Sequence, residues 1–391
     1  MDAHAHLVGF PSGPPGPPFG LIANGLRLFV CNGITSVRDA GNALESIQFA
    51  QRWSAEHGGP HVAPTSPLLD EPPLLWGFSR VIDTPDTARR EVERLHAEGA
   101  TWTSLYHNVR PSTAQAATAA ARERSMKIAA NTQRMSAEDL VDLRPTSIEH
   151  AHLLLCDDDG VPETVTARMR RWASIDLASP RIDQLVHQLR ETDVTVCSTL
   201  LYAERWCSID AIIDEPNLEY MTTIMPFAEQ LLRMRTPMGM MMGKRSIRDN
   251  LGIPSLTASE RDEVEDGLET LRAFVAHLYA SGVRVVAGTG TPSPSIVPGF
   301  SLHQELERLV ESGLSSAQAL SCATSHAAAL LGADEDVGVV REGARADLLL
   351  IDGNPQQDIS RTRNVLNVYK RGSAVDRHTL FEPIQTTVQA L

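Results

Sequence analysis

Lysine is almost missing from this chain of 391 residues. Only Lys127, Lys244 and Lys370 occur, beside a large excess of arginine, and none precedes residue 127. Basic residues are outnumbered overall, giving a net charge of −14, so the basic face that a nucleic-acid surface needs is not expected. Long apolar runs are lacking too. No stretch approaches the roughly 20 apolar residues of a membrane span. The N-terminus has no basic region followed by an apolar one, which argues against a secretory signal. The five cysteines, Cys31, Cys156, Cys197, Cys207 and Cys322, fall at no zinc-finger or redox spacing and make an odd number. That pattern excludes a regular disulfide framework and suits a reduced compartment. A cytoplasmic protein, with no membrane and no nucleic-acid partner, is the expectation.

Apolar residues, at 42%, are ample for a large core, and charged residues, at 21%, argue against wholesale disorder. The length would allow two or three average domains, although α/β barrels run past 250 residues as one unit. Short apolar runs alternate with longer amphipathic ones. "GITSVRDAG" (33–41), "SIEHAHLLL" (147–155), "VTVCSTLL" (194–201) and "VRVVAGTG" (283–290) read as strands leading into loops. Helices are expected over 84–99, with a Thr cap before Pro85, and over 259–282, 301–313 and 315–332. Strand-helix alternation of this length implies a parallel sheet, and a (β/α)8 barrel leads. It would occupy residues 1–337, with a small C-terminal β subdomain over 338–391, where the pattern turns to short hairpin-like strands. Two segments read as insertions. One is the proline- and glycine-rich loop 10–20. The other is the methionine-rich 231–246, an irregular loop or a lid over an apolar substrate.

The opening "MDAHAHLVGF" contains His-x-His. On a strand the period of two sends both rings to one face, a common way to hold a metal. "DAHAHL", "GITSVRDAG", "SIEHAHLL", "PGFSLHQELERLVESGLSSAQALSCATSHAAALLG" and "GVVREGARADLLLIDGNPQQDI" together resemble the amidohydrolase superfamily, closest to its imidazolonepropionase- and prolidase-like branch. The resemblance runs in order along most of the chain. It implies a distorted TIM barrel with a β-sandwich built from both chain ends. Because the chain starts at the family's first barrel strand, the sandwich is expected to be half missing. A homodimer is a further expectation from the resemblance.

The family's metal ligands are the strand-one His-x-His, a carboxylated strand-four lysine, and histidines from strands five and six. A strand-eight aspartate is ligand and general base. The resemblance puts His4 and His6 at the first pair and His150 at strand six. The others are replaced. "WTSLY" places Ser104 at the lysine, "KIAANTQ" places Asn131 at the strand-five histidine, and "GTG" places Gly290 at the aspartate. The next acidic residue on that side, Glu305, falls inside the following helix.

A hydrolytic metal must be held tightly and must lower the pKa of its water from ~15.7 towards ~7. Asn131 is a weak amide-oxygen ligand, Ser104 cannot bridge two ions, and no carboxylate stands ready to take the water's proton. Histidines free of metal titrate near pH 6.5 and serve as acids and bases. The first reading is therefore an enzyme of this fold with no metal or other cofactor. His4, His6, His150, Asn131, Tyr106 and His107 would carry acid/base chemistry on a small organic molecule: dehydration, isomerisation, elimination or cyclisation. Ser104, His152, Tyr202, Arg205 and His303 are candidates for binding the substrate. The second reading is a zinc-dependent hydrolase of C–N or C–O bonds that uses His4, His6 and His150. The third is a catalytically silent barrel used for binding. Blander roles stand beside the sharp ones. The histidines would be relics held by hydrogen bonds, and Tyr106 and Trp102 would be packing residues. Glu149, pointing away from the cavity, would form a structural ion pair, and Arg38 would pair with Asp39.

Overall fold

The computed structural model describes residues 1–7, 19–63, 65–156, 164–207, 212–225, 228–233, 256–293 and 295–389. The two insertion-like segments, 10–20 and 231–246, lie almost wholly outside these residues.

Short apolar strands, buried along nearly their whole length, run parallel and close into a barrel. Asp2–Ala5 pairs with Ser36–Asp39, which pairs with His61–Ala63. The wall continues through Leu68–Asp70 to Trp102–Leu105, Lys127–Ala130, Ser147–Ile148, Thr195–Cys197 and Val285–Val286. The short strand Arg80–Val81 hangs on the outer edge of Leu68–Asp70. The ring closes where the last strand returns to the first. Ala3 N–H donates to Ala287 O (3.0 Å), His6 N–H donates to Thr291 O (2.6 Å), and Ala5 bridges Thr291. Parallel strands buried on both faces explain why these segments read as Val, Ile, Ala and Thr rather than as an alternation.

Helices cover the outside, and their starts follow the sequence signals. Thr84 caps Pro85–Ala97 with a capping box, and Thr257 with Glu260 does the same for Ala258–Ala280. Phe300–Glu311 forms as expected. The single helix expected over 315–332 is instead two, Ser316–Cys322 and Ser325–Leu331. They are split at Thr324, whose backbone (φ −127°, ψ −92°) leaves the helical region.

The C-terminal region holds a three-stranded antiparallel sheet, Leu348–Ile351, Val365–Lys370 and Ser373–Ala374. A helix that the sequence did not suggest, Arg377–Gln389, follows it and packs against Phe19–Cys31. Leu348, Leu349, Leu350 and Leu366 are exposed on this sheet. Among the described residues no helix is long and apolar enough to cross a membrane.

Candidate active site

The C-terminal ends of the barrel strands open into a cavity of about 420 Å³. This is the end at which a TIM barrel carries its chemistry. His4 and His6 sit at the end of the first strand, and His150 stands two residues past Ser147–Ile148. The ring of His4 lies 4.7 Å from that of His150 and 5.3 Å, edge-on, from that of His6. His152 stacks on His150 at 5.1 Å, and Tyr202 stacks on it at 5.0 Å. Asn131, Tyr106 and His107 also line the cavity. Strand position thus brings together His4, His6, His150, His152, Asn131, Tyr106, His107 and Tyr202.

Three candidates fall elsewhere. Ser104 is buried in the wall, its backbone N–H bonded to Ser66 Oγ, and does not reach the cavity. Arg205 is turned away into an ion pair with Glu215 (2.8 Å) and a contact with Gln304. His303 is buried on Phe300–Glu311, where Nε2–H donates to Asn32 O (3.0 Å), so it joins that helix to the Phe19–Cys31 region. Glu305, on the same helix, does not replace the strand-eight carboxylate. It accepts from Ser198 Oγ–H and from the N–H groups of Leu200 and Leu201, and burial raises its pKa to about 7.

The floor of the site differs from expectation. Arg38 does not pair with Asp39, because adjacent strand residues point to opposite faces. Its guanidinium donates to Glu149 (2.6 Å), while Asp39 accepts from Leu7 N–H, Gly41 N–H and Asn42. Glu149 is the structural ion-pair partner that its register suggested, but its role is wider. The same oxygen accepts from His4 Nδ1–H at 2.5 Å, and its other oxygen accepts from Ser147 Oγ–H at 2.5 Å. Burial opposes ionisation of Glu149. The Arg38 charge and the His4 and Arg38 hydrogen bonds override it and hold the carboxyl far below its ordinary range. With a carboxylate on Nδ1, His4 is left with Nε2 as the accepting nitrogen.

The neighbouring rings are neutral rather than poised near pH 6.5. Burial above all lowers His6 to about 3 and His150 well below its usual value. Burial, with the nearby charge of Arg168, lowers His152 to about 3. His6 Nδ1 faces Gly41 O (3.3 Å) and His150 Nδ1 meets Thr199 Oγ1 (2.8 Å). Tyr106, its pKa raised chiefly by burial, stays a phenol, and its oxygen accepts from Trp76 Nε1–H (2.9 Å).

The sequence of the chain, matched against known families, fits the amidohydrolase family over residues 1–375. The chain belongs to the amidohydrolase family. No curated protein matches this family member closely. Several solved amidohydrolase-type structures share its fold. A Xaa-Pro dipeptidase with methionine bound in its active site is 16% identical, with a TM-score of 0.64 over 96% of this chain and 85% of that one. A bottromycin amidohydrolase is 19% identical, with a TM-score of 0.67 over all of this chain and 78% of that one. The ochratoxinase of A. niger is 17% identical, with a TM-score of 0.62 over 95% and 81%. This amidohydrolase-family enzyme thus has the distorted TIM barrel that its motifs implied.

Amidohydrolases are commonly metal-dependent, so the donors here must be weighed as ligands of a divalent ion. Among the described residues, the only ligand atoms gathered closely enough to share one belong to His4, Glu149 and Cys197. That trio does not fit well. Glu149 already serves Arg38, Ser147 and His4, and an ion there would lie against the Arg38 guanidinium. His4, His6 and His150 do not form such a group as they stand. At Gly290, Tyr202 fills the space a side chain would take. A Cβ on Gly290 would lie 2.8 Å from its ring.

Sequence reading missed part of the wall. Arg168 and Trp172 line the cavity from the helix Val165–Ala173, as do Trp76 and Gln133. The signal, an Arg and a Trp four apart in "TARMRRWA", is common on any amphipathic helix.

Proposed function

We propose that the enzyme catalyses metal-independent acid/base chemistry on a small organic molecule, with His4 as the base. The observation that carries this reading is the buried line Arg38–Glu149–His4, at 2.6 and 2.5 Å. A carboxylate on Nδ1 fixes the ring's orientation and tautomer and is placed to stabilise positive charge when Nε2 accepts a proton. Tyr106, kept neutral and already accepting from Trp76, has its own proton to donate to an oxygen that gains charge. His150, held neutral and bonded to Thr199, packs the substrate side of the base. In an elimination, His4 Nε2 takes a proton from carbon and returns it to the departing oxygen. Isomerisation, dehydration and cyclisation use the same transfer, with the proton delivered to another atom of the same molecule.

One observation favours a second reading, a zinc-dependent hydrolase of C–N or C–O bonds using His4, His6 and His150. Each of these rings has Nδ1 against a carboxylate, carbonyl or hydroxyl. Metal-bound histidines are commonly anchored that way. The related structures named as a dipeptidase and an ochratoxinase support it in kind.

Metal content of the purified protein, measured by inductively coupled plasma mass spectrometry before and after dialysis against chelator, separates the two. The expected result is no stoichiometric ion. Turnover found by screening eliminations and cyclisations should be indifferent to chelator and should fall by about 10²–10⁴ in His4→Ala. An ion retained at one per chain, with activity lost to chelator and restored by zinc, would give the site to the hydrolase.

A further inference from the structure

We infer that Arg168, Trp172 and His152 form an anion subsite at one side of the cavity, selecting substrates that carry a carboxylate. The inference rests on the reading that this cavity holds the substrate, and it names the substrate's class.

Three nitrogens carry the argument. Arg168 Nε, Trp172 Nε1 and His152 Nδ1 are each buried without a hydrogen-bond partner among the described residues, and all three residues line the cavity. Leaving such a group unsatisfied is costly, and here three of them face one cavity, where a ligand could receive them. Arg168 and Trp172 are one helical turn apart on Val165–Ala173, so they share a face. The ring of His152 lies 5.5 Å from that of Trp172. Donors on two elements therefore converge.

Charge points the same way. Among the described residues, Arg168 makes no ion pair, whereas Arg170 on the same helix is paired with Glu263 at 2.8 Å. Among the described residues, no aspartate or glutamate lines the cavity. A chain of net charge −14 thus has, among its described residues, one arginine in its cavity with no opposing carboxylate. A guanidinium offers parallel N–H groups that match the two oxygens of a carboxylate; the indole N–H adds a single donor, as does the imidazole in its Nδ1–H tautomer. Trp76, Phe78 and Met169 give the cavity an apolar and aromatic stretch of wall, which suits a carboxylate borne on an apolar or flat body. The rival is water: the three donors would be served by solvent, and no anion would be preferred.

The test is a calorimetric titration of the full chain with 3-phenylpropionate and with its neutral amide, 3-phenylpropanamide. The acid should bind about tenfold to a hundredfold more tightly than the amide. Arg168→Gln should remove that preference, Arg168→Lys should keep part of it, and Arg170→Gln should leave it unchanged. An unchanged near-ultraviolet circular dichroism spectrum shows that Arg168→Gln is folded. Equal binding of acid and amide would overturn the inference, as would binding of neither or a full preference in folded Arg168→Gln. Because the readout is binding with no turnover, finding a catalytic metal would overturn the proposed chemistry and leave this result standing.

Discussion

Gly290 is a glycine for a steric reason. Its backbone sits at φ +73°, and Tyr202 occupies the volume that a side chain would need. The ring that fills this space also stacks on His150, so the bare backbone at Gly290 and the lining of the site are linked. His303 shows the opposite case, a histidine near the barrel mouth that serves only the fold. Burial lowers its pKa to about 4, from an unfolded value near 6.5. Between those values the unfolded chain binds a proton that the native chain does not, so stability is lost as pH falls through this window. His303→Gln, which keeps a donor for Asn32 O, should lose less. The two chains' unfolding free energies, from urea melts, should diverge by about 3 kcal/mol between pH 6.5 and 4. Parallel curves would mean that His303 accepts its proton while folded. The His-x-His and His150 were readable because strand period and family motif both mark them. Arg205 looked like a site residue because it follows a strand end, and His303 because it opens a helix near the mouth; their partners, Glu215 outside that helix and Asn32 far away in sequence, show only after folding.

At the level of elements, the helix Val165–Ala173 is positioned by a close contact. A Cβ on Gly267, within Ala258–Ala280, would meet the backbone of Met169 at 2.7 Å. Glycine inside a helix normally costs about 1 kcal/mol relative to alanine. Here the clash should win, and Gly267→Ala should destabilise the protein by about 1–3 kcal/mol. Met169 lies between Arg168 and Trp172 in register, so carboxylate affinity should weaken in the same variant. A denaturant melt showing a gain in stability would remove this account of the helix packing. Elements with several agreeing cues were legible in sequence. Pro85–Ala97 had a Thr cap, a proline start and a glycine stop. The break at Thr324 had neither glycine nor proline to announce it, and the helix Arg377–Gln389 carries Pro383 within it, a signal that argues against helix.

Across the whole molecule, the barrel was legible because alternation of strands and helices repeats along most of the chain. The anion subsite was not, because its three donors come from residues 152, 168 and 172 and are joined only by folding. That subsite lies inside a molecule of net charge −14, and the two facts act over different distances. An anion approaching from solution climbs a repulsive field that salt screens beyond about 8 Å at physiological strength. Over the last few ångströms it is drawn in by one guanidinium. Electrostatic steering normally makes association slower as salt is added. Here stopped-flow mixing with 3-phenylpropionate should show association becoming faster from low to moderate salt, while dissociation also quickens. The protein would take up its ligand most readily in salty water.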